Sequence, residues 1–101
     1  MAHIITDGNL IYGTGATAGD AWKDGRQTLD YAQVQLIDDN AASDACFGSW
    51  MRESDLVCMP ATEALVADVA DMGGAIGWRE RDGVAMTADE ADMTTEQENQ
   101  P

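Results

Sequence analysis

Positive charge is what this chain has least of. Lys23 is its only lysine, and four arginines complete the bases against nineteen acids, thirteen of them aspartate. The formal net charge is -14 and the pI is near 4.1. A field of that sign repels nucleic-acid phosphate and anionic lipid, and it attracts basic protein surfaces. Direct binding of DNA, RNA or a membrane is therefore disfavoured. Histidine is scarce as well: His3 is the one imidazole, so any Ser-His-Asp or Cys-His engine would have to use it. No H-E-x-x-H, no D-x-D-x-D-G loop and no zinc spacing of Cys and His occurs, so no metal ligand is assigned. No catalytic residue and no cofactor are assigned either, and carboxylate acid–base chemistry is the only catalysis left open. Cys46 and Cys58 are the only cysteines, too few for a secreted disulfide scaffold, and they read as buried or incidental thiols. No apolar run approaches membrane-spanning length, and no basic-then-apolar leader is present. The expectation is a soluble, unexported protein.

Against these absences, 45% of the 101 residues are hydrophobic, enough for one modest core. Residues 1–94 read as a single α/β (α+β) domain, and the polar 95–101 as a frayed tail. "HIITDGNLIYG" is two apolar runs around Asp7, Gly8 and Asn9, a hairpin signal. "TAGDAWKDGRQTLDYAQ" follows as a helix, with Thr17 and Asp20 forming a capping-box-like start. Ala18, Ala21, Trp22, Gly25, Leu29 and Ala32 give it one narrow packing face, though Gly25 weakens it by about 1 kcal/mol relative to alanine. In "AQVQLIDD", Val34, Leu36 and Ile37 fit either the helix end or a strand. "DNAASDACFGSWMRES" reads as a long loop with at most one helical turn. "DLVCMP" reads as a buried strand stopped by Pro60. "ATEALVADVADMGG" is the clearest helix, with Leu65, Val66, Val69 and Met72 as its apolar stripe and Gly73 or Gly74 as its stop. "AIGWRERDGVAMT" repeats the hairpin grammar around Arg81, Asp82 and Gly83. Thr87, with Glu90 three residues on, then caps a short last helix.

"DGNLIYGTGATAGD" and "DGVAMTADEAD" share one order: Asp-Gly turn, apolar strand, Thr-Ala, acidic helix start. Two hairpins, each feeding a helix, are expected to form one mixed or antiparallel sheet with helices packed on it. Within the first copy, G-T-G-A-T-A from Gly13 fits the G-x-G-x-x-G/A nucleotide fingerprint, and Asp38 and Asp39 stand about 20 residues on, where a ribose-binding acid is expected. Against a nucleotide site, Leu10–Tyr12 is half of a hairpin rather than a buried parallel strand. Asp20 and Asp24 also flank the proposed phosphate. The competing reading is a bulge or turn with close backbone packing, in which Gly13 or Gly15 takes positive φ.

The remaining candidates are acidic. Asp38, Asp39 and Asp44 crowd one stretch together with Phe47, Trp50 and Met51, while Asp89, Glu90 and Asp92 crowd the C-terminal end with Glu96 and Glu98. Solvated faces explain most charge runs, but a domain needs a net charge of only ~2–8 for solubility. Aromatic and Met side chains ringed by charge suit a protein interface, and equally a plugged core. Trp22 and Trp78 sit in regular segments and read as core.

"YGTGATAGDAW" and "GGAIGWRERDGVAMTADEAD", about half of the chain, resemble small prophage and mobile-element proteins of bacteria. In size, charge and style the chain also resembles anti-CRISPR proteins, several of which imitate nucleic acid. The resemblance implies a non-enzymatic phage-type inhibitor or adaptor in the cytoplasm of a bacterial host cell. It would bind a basic nucleic-acid-handling protein, such as a CRISPR effector complex, by charge mimicry. The residues proposed for that contact are Asp38, Asp39, Asp44, Phe47, Trp50, Asp89, Glu90 and Asp92. Two alternatives stand beside it: a small domain adapted to high salt, and a nucleotide-binding module using Gly13 and Gly15.

Overall fold

The computed structural model describes residues 1–40 and 48–92. Its elements run β1 (Ala2–Thr6), β2 (Ile11–Gly15), α1 (Ala18–Tyr31), β3 (Val34–Ile37), β4 (Ser49–Arg52), a 3-10 turn (Glu53–Asp55), β5 (Val57–Ala61), α2 (Glu63–Met72), β6 (Trp78–Arg81) and β7 (Val84–Thr87). A last helical segment occupies 88–92. Five strands form a mixed sheet in the order β2-β1-β5-β7-β6, and β3 and β4 form a separate parallel pair. The fold is α+β. The expected tail, 95–101, lies outside the described residues.

Both Asp-Gly turns close antiparallel hairpins, β1–β2 and β6–β7. In the first, Asp7 Oδ1 accepts from the backbone N–H groups of Asn9 and Leu10, both at 2.8 Å, and the Thr6 hydroxyl donates to the Leu10 carbonyl at 2.6 Å. The second turns on Asp82 and Gly83, with φ of 53° and 81°. Two successive positive φ values define the tight hairpin turn whose twist matches the strands it joins. Each hairpin then feeds a helix through a threonine cap. Thr17 Oγ1 accepts from Asp20 N at 3.1 Å, and Thr87 Oγ1 accepts from Glu90 N at 3.0 Å. The second cap is a complete capping box, because Thr87 N donates back to the Glu90 carboxylate at 3.2 Å.

The pleat of β1 divides the core in two. Ile4 and Ile5 are both fully buried, yet as neighbours in a strand they face opposite sides. Ile4 packs with Ile11, Ala61, Leu65 and Ala85 beneath α2. Ile5 packs with Ala21, Leu29 and Leu56 beneath α1, where the β3–β4 pair adds Val34, Leu36 and Met51. Burying one such Ile or Leu side chain is worth about 1.5–3 kcal/mol. The helices therefore cover both faces of the sheet.

Four sequence expectations need correction. Ser49–Arg52, read as loop, is a strand, because pairing with β3 brings Met51 onto the α1-side core. Residues 41–47 of that stretch lie outside the described residues. β5 does not stop at Pro60 but runs to Ala61. β7 registers against β5 only at Ala61↔Ala85, so the rest of that edge makes no demand for the N–H that proline lacks. Val57, at the other end of β5, is exposed rather than buried. Met72 belongs to the stripe by spacing, but it is 62% exposed, since α2 ends there beyond the cover of the sheet.

Candidate partner-binding surface

The glycine stretch is a strand with a bulge. Ile5 pairs with Gly13 and Thr6 with Ile11, so Tyr12 is the extra residue on β2. Neither Gly13 nor Gly15 has positive φ. What Gly13 supplies is closeness: a Cβ there would collide with the backbone of Ala21 and Gly25 in α1. One on Gly15 would come within 2.6 Å of Asp20 Cβ. Gly25 is matched to this contact, and a Cβ on it would touch Ile5. The segment required by the nucleotide-binding alternative is thus part of a paired strand. Its Thr14 N–H, of the kind a phosphate would use, donates to the Asp24 carboxylate at 2.9 Å. Ile11 N on the same strand donates to Gly74 O at 2.9 Å. Both bonds blunt what would otherwise be an open sheet edge.

Tyr12, displaced by the bulge, donates its hydroxyl to Asp7 Oδ2 at 2.9 Å. Partial burial, the bond itself and the Asp7 charge push the Tyr12 pKa up to about 12. Burial disfavours the Asp7 carboxylate, but bonds from Asn9, Leu10 and Tyr12 outweigh it and hold its pKa below the usual value. Burial also raises the Cys58 thiol, which keeps it protonated and a poor nucleophile. Cys46 lies outside the described residues.

The eight residues expected at a partner contact do not form one site. Asp44 and Phe47 lie outside the described residues. Asp38, Asp39 and Trp50 come together at the β3–β4 pair, on the α1 side. Trp50 is 38% exposed, and the Arg52 guanidinium lies 5.4 Å from its ring centroid. Arg52 Nη1 also donates to the carbonyls of Asp38, at 3.2 Å, and Asp39, at 2.9 Å. Asp39 Oδ1 accepts from Ser54 N at 3.0 Å, which makes it a cap of the 3-10 turn. Asp89, Glu90 and Asp92 belong to the opposite, α2 side. There Glu90 is a structural acid: Oε1 accepts from Thr87 N and, at 2.8 Å, from the hydroxyl of Thr62, which itself caps α2. One carboxylate thus joins two helix N-termini, where the helix dipole favours negative charge.

Sorting the charges by side of the sheet exposes an asymmetry that composition alone conceals. Lys23 and Arg26 lie on α1, and Arg52 on β4, which packs on the α1 side. Arg79 and Arg81 lie on β6, opposite Met86 and Val84. Ala85, between those two residues, is buried beneath α2, so the pleat turns both arginines to the α1 side. All five bases therefore fall on one side. The α2 side carries Glu63, Asp68 and Asp71 on α2 and Asp89 and Asp92 on the last helical segment, with no base.

Local contacts reinforce the difference. On the α1 side Arg26 pairs with Glu53 at 3.7 Å and lies 5.6 Å from the Trp22 ring centroid. On the α2 side, among the described residues, no hydrogen bond or ion pair engages the side chains of Glu63, Asp68, Asp71, Asp89 or Asp92. Between α2 and the last helical segment runs a groove of about 300 Å³, lined by Asp68, Met72, Ile76, Gly77, Thr87, Ala88 and Asp89. The sequence reading missed Asp68 and Met72. The available signal was a helix with three acids and no base, ending in a methionine.

No family model, no curated protein and no solved structure matches the chain. Among the described residues no helix is long and apolar enough to cross a membrane.

Proposed function

We propose that the chain is a non-enzymatic acidic inhibitor or adaptor of the anti-CRISPR, anti-defence type. It acts in the cytoplasm of a bacterial host, where it occupies a lysine- and arginine-lined face of a nucleic-acid-handling protein such as a CRISPR effector complex. Its carboxylates stand in for phosphates, steer encounter with the basic partner and compete with the nucleic acid. The observation that carries this reading is the segregation of charge. Acidity serving only hydration has no reason to keep every base off one face, whereas a face made for a cationic partner does. The test is displacement of labelled DNA or RNA from captured partners across a salt gradient. Binding that weakens with salt and excludes the nucleic acid supports the reading. Binding indifferent to salt, or formed on top of bound nucleic acid, sinks it.

Adaptation to high salt is favoured by one further observation, thirteen aspartates beside a single lysine. Refolding in low salt separates the two readings: a salt-adapted domain loses structure there, and the inhibitor stays folded.

A further inference from the structure

The groove between α2 and the last helical segment differs from the acidic surface around it because its floor is apolar. Met72 and Ile76 line one side and Ala88 the other, with Gly77 leaving space between them. Carboxylates stand on both rims, half-buried Asp68 on α2 and exposed Asp89 opposite. One helical turn further on, each has an acidic neighbour, Asp71 and Asp92, which repeats the charge along the slot. The cations available to this protein, Lys23 and the arginines, are all on the other side of the sheet, so the rim is not neutralised from within.

Resting on the binding reading above, we infer that this groove is the docking slot for a cationic amphipathic segment of the partner protein. Lysine or arginine side chains bridge to Asp68 and Asp89, while one aliphatic side chain lies against Met72 and Ile76. An exposed methionine suits that role, since an unbranched thioether repacks around differently shaped apolar groups. Charge complementarity selects this occupant. An acidic or phosphorylated segment would meet carboxylates on both rims, and a wholly apolar one would strand those carboxylates unpaired.

The experiment uses the full chain and a short, amidated, fluorescein-labelled peptide of alternating lysine and leucine, read by fluorescence anisotropy. Asp68→Asn with Asp89→Asn removes two charges at the groove. Asp20→Asn with Asp30→Asn removes the same two charges from α1. The expected result is a loss of at least about tenfold in affinity for the groove pair and less than about twofold for the α1 pair. Met72→Ala weakens binding by about threefold, and a glutamate–leucine peptide does not bind. Circular dichroism melts confirm that each variant folds. Equal losses from the two pairs, or no binding of the lysine–leucine peptide to the unaltered chain, overturn the docking slot. Nucleic-acid displacement by the unaltered chain decides the wider reading separately, so the two can fail independently.

Discussion

The two sides of the sheet solve the same packing problem with opposite means. On the α1 side the backbone of helix and strand nearly touch: Gly13 faces Ala21 and Gly25, and the seam is sealed by Trp22, Tyr12 and the added β3–β4 pair. Its charges are of both signs, and Asp24, Arg26, Arg52 and Glu53 are locally engaged. On the α2 side the helix rides on side chains, Leu65 over Ile4 and Ala85, with Val66 and Val69 around them. Its charges are of one sign, and among the described residues no hydrogen bond or ion pair engages those of Glu63, Asp68, Asp71, Asp89 and Asp92. One side sets backbone against backbone and the other leaves a groove. The lesson is that net charge measures neither face: the difference between them lies in where five bases are placed, not in how many acids there are.

The sharpest way to break this comparison is at the close seam. Gly13→Ala forces a Cβ into helix backbone, which cannot rotate away, so a loss of about 3 kcal/mol is expected. For a chain of this size that is a fall of more than about 10 °C in the thermal midpoint. Gly77→Ala, in the groove, adds a Cβ to open space and should stay within about 0.5 kcal/mol. Similar midpoints for the two variants would mean that the seam is no tighter than the groove.

Next in size is the lock on the α2 side. Glu90→Ala removes the acceptor shared by Thr87 N and the Thr62 hydroxyl, and with it support for two helix starts. About 2 kcal/mol is expected in urea unfolding, with Glu90→Gln recovering part of it. A loss for Glu90→Ala no larger than for Asp89→Ala would show Glu90 to be one more surface acid.

These contrasts also mark how far the sequence could be read. Hairpins at Asp7-Gly8 and Asp82-Gly83, and helix starts at Thr17 and Thr87, are written in local chemistry, because each depends on groups within four residues. A bulge was legible near Gly13 and Gly15, but its place at Tyr12 was not. Strand β4 was not, since Ser49–Arg52 becomes a strand only by pairing with β3 and meeting Leu56 and Leu29 across the fold. The direction of Arg79 and Arg81 was hidden for the same reason: alternation says that they share a face, but only the placement of Ala85 says which. Of the acids, Glu90 was legible as the capping partner of Thr87 but not as the acceptor of the Thr62 hydroxyl, and Asp39 gave no local sign that it was committed to capping. Asp68 gave no sign that it would face Asp89.

The smallest effect separates the bulge from the rest of the α1 side. Tyr12 titrates near 12 in the folded chain, against the ordinary value of 10.0. The native state thus holds a proton that the unfolded chain releases between those values, and stability falls as pH rises through that window. Below pH 10 the contribution is complete. Asp7 works the other way: its depressed value makes its contribution complete above the usual 3.8, and the contribution fades as acid protonates the carboxylate. Tyr12→Phe removes the hydroxyl without changing the ring that packs against the Ile5 cluster. Its cost at neutral pH should be no more than about 1 kcal/mol, the scale of one partly exposed hydrogen bond. The informative measurement is the difference between the two proteins in urea midpoint from pH 9 to pH 12. That difference should shrink as Tyr12 ionises, because the variant has nothing there to lose. A constant offset across the window would mean that the hydroxyl contributes by packing alone and that the Asp7 bond does not hold the bulge.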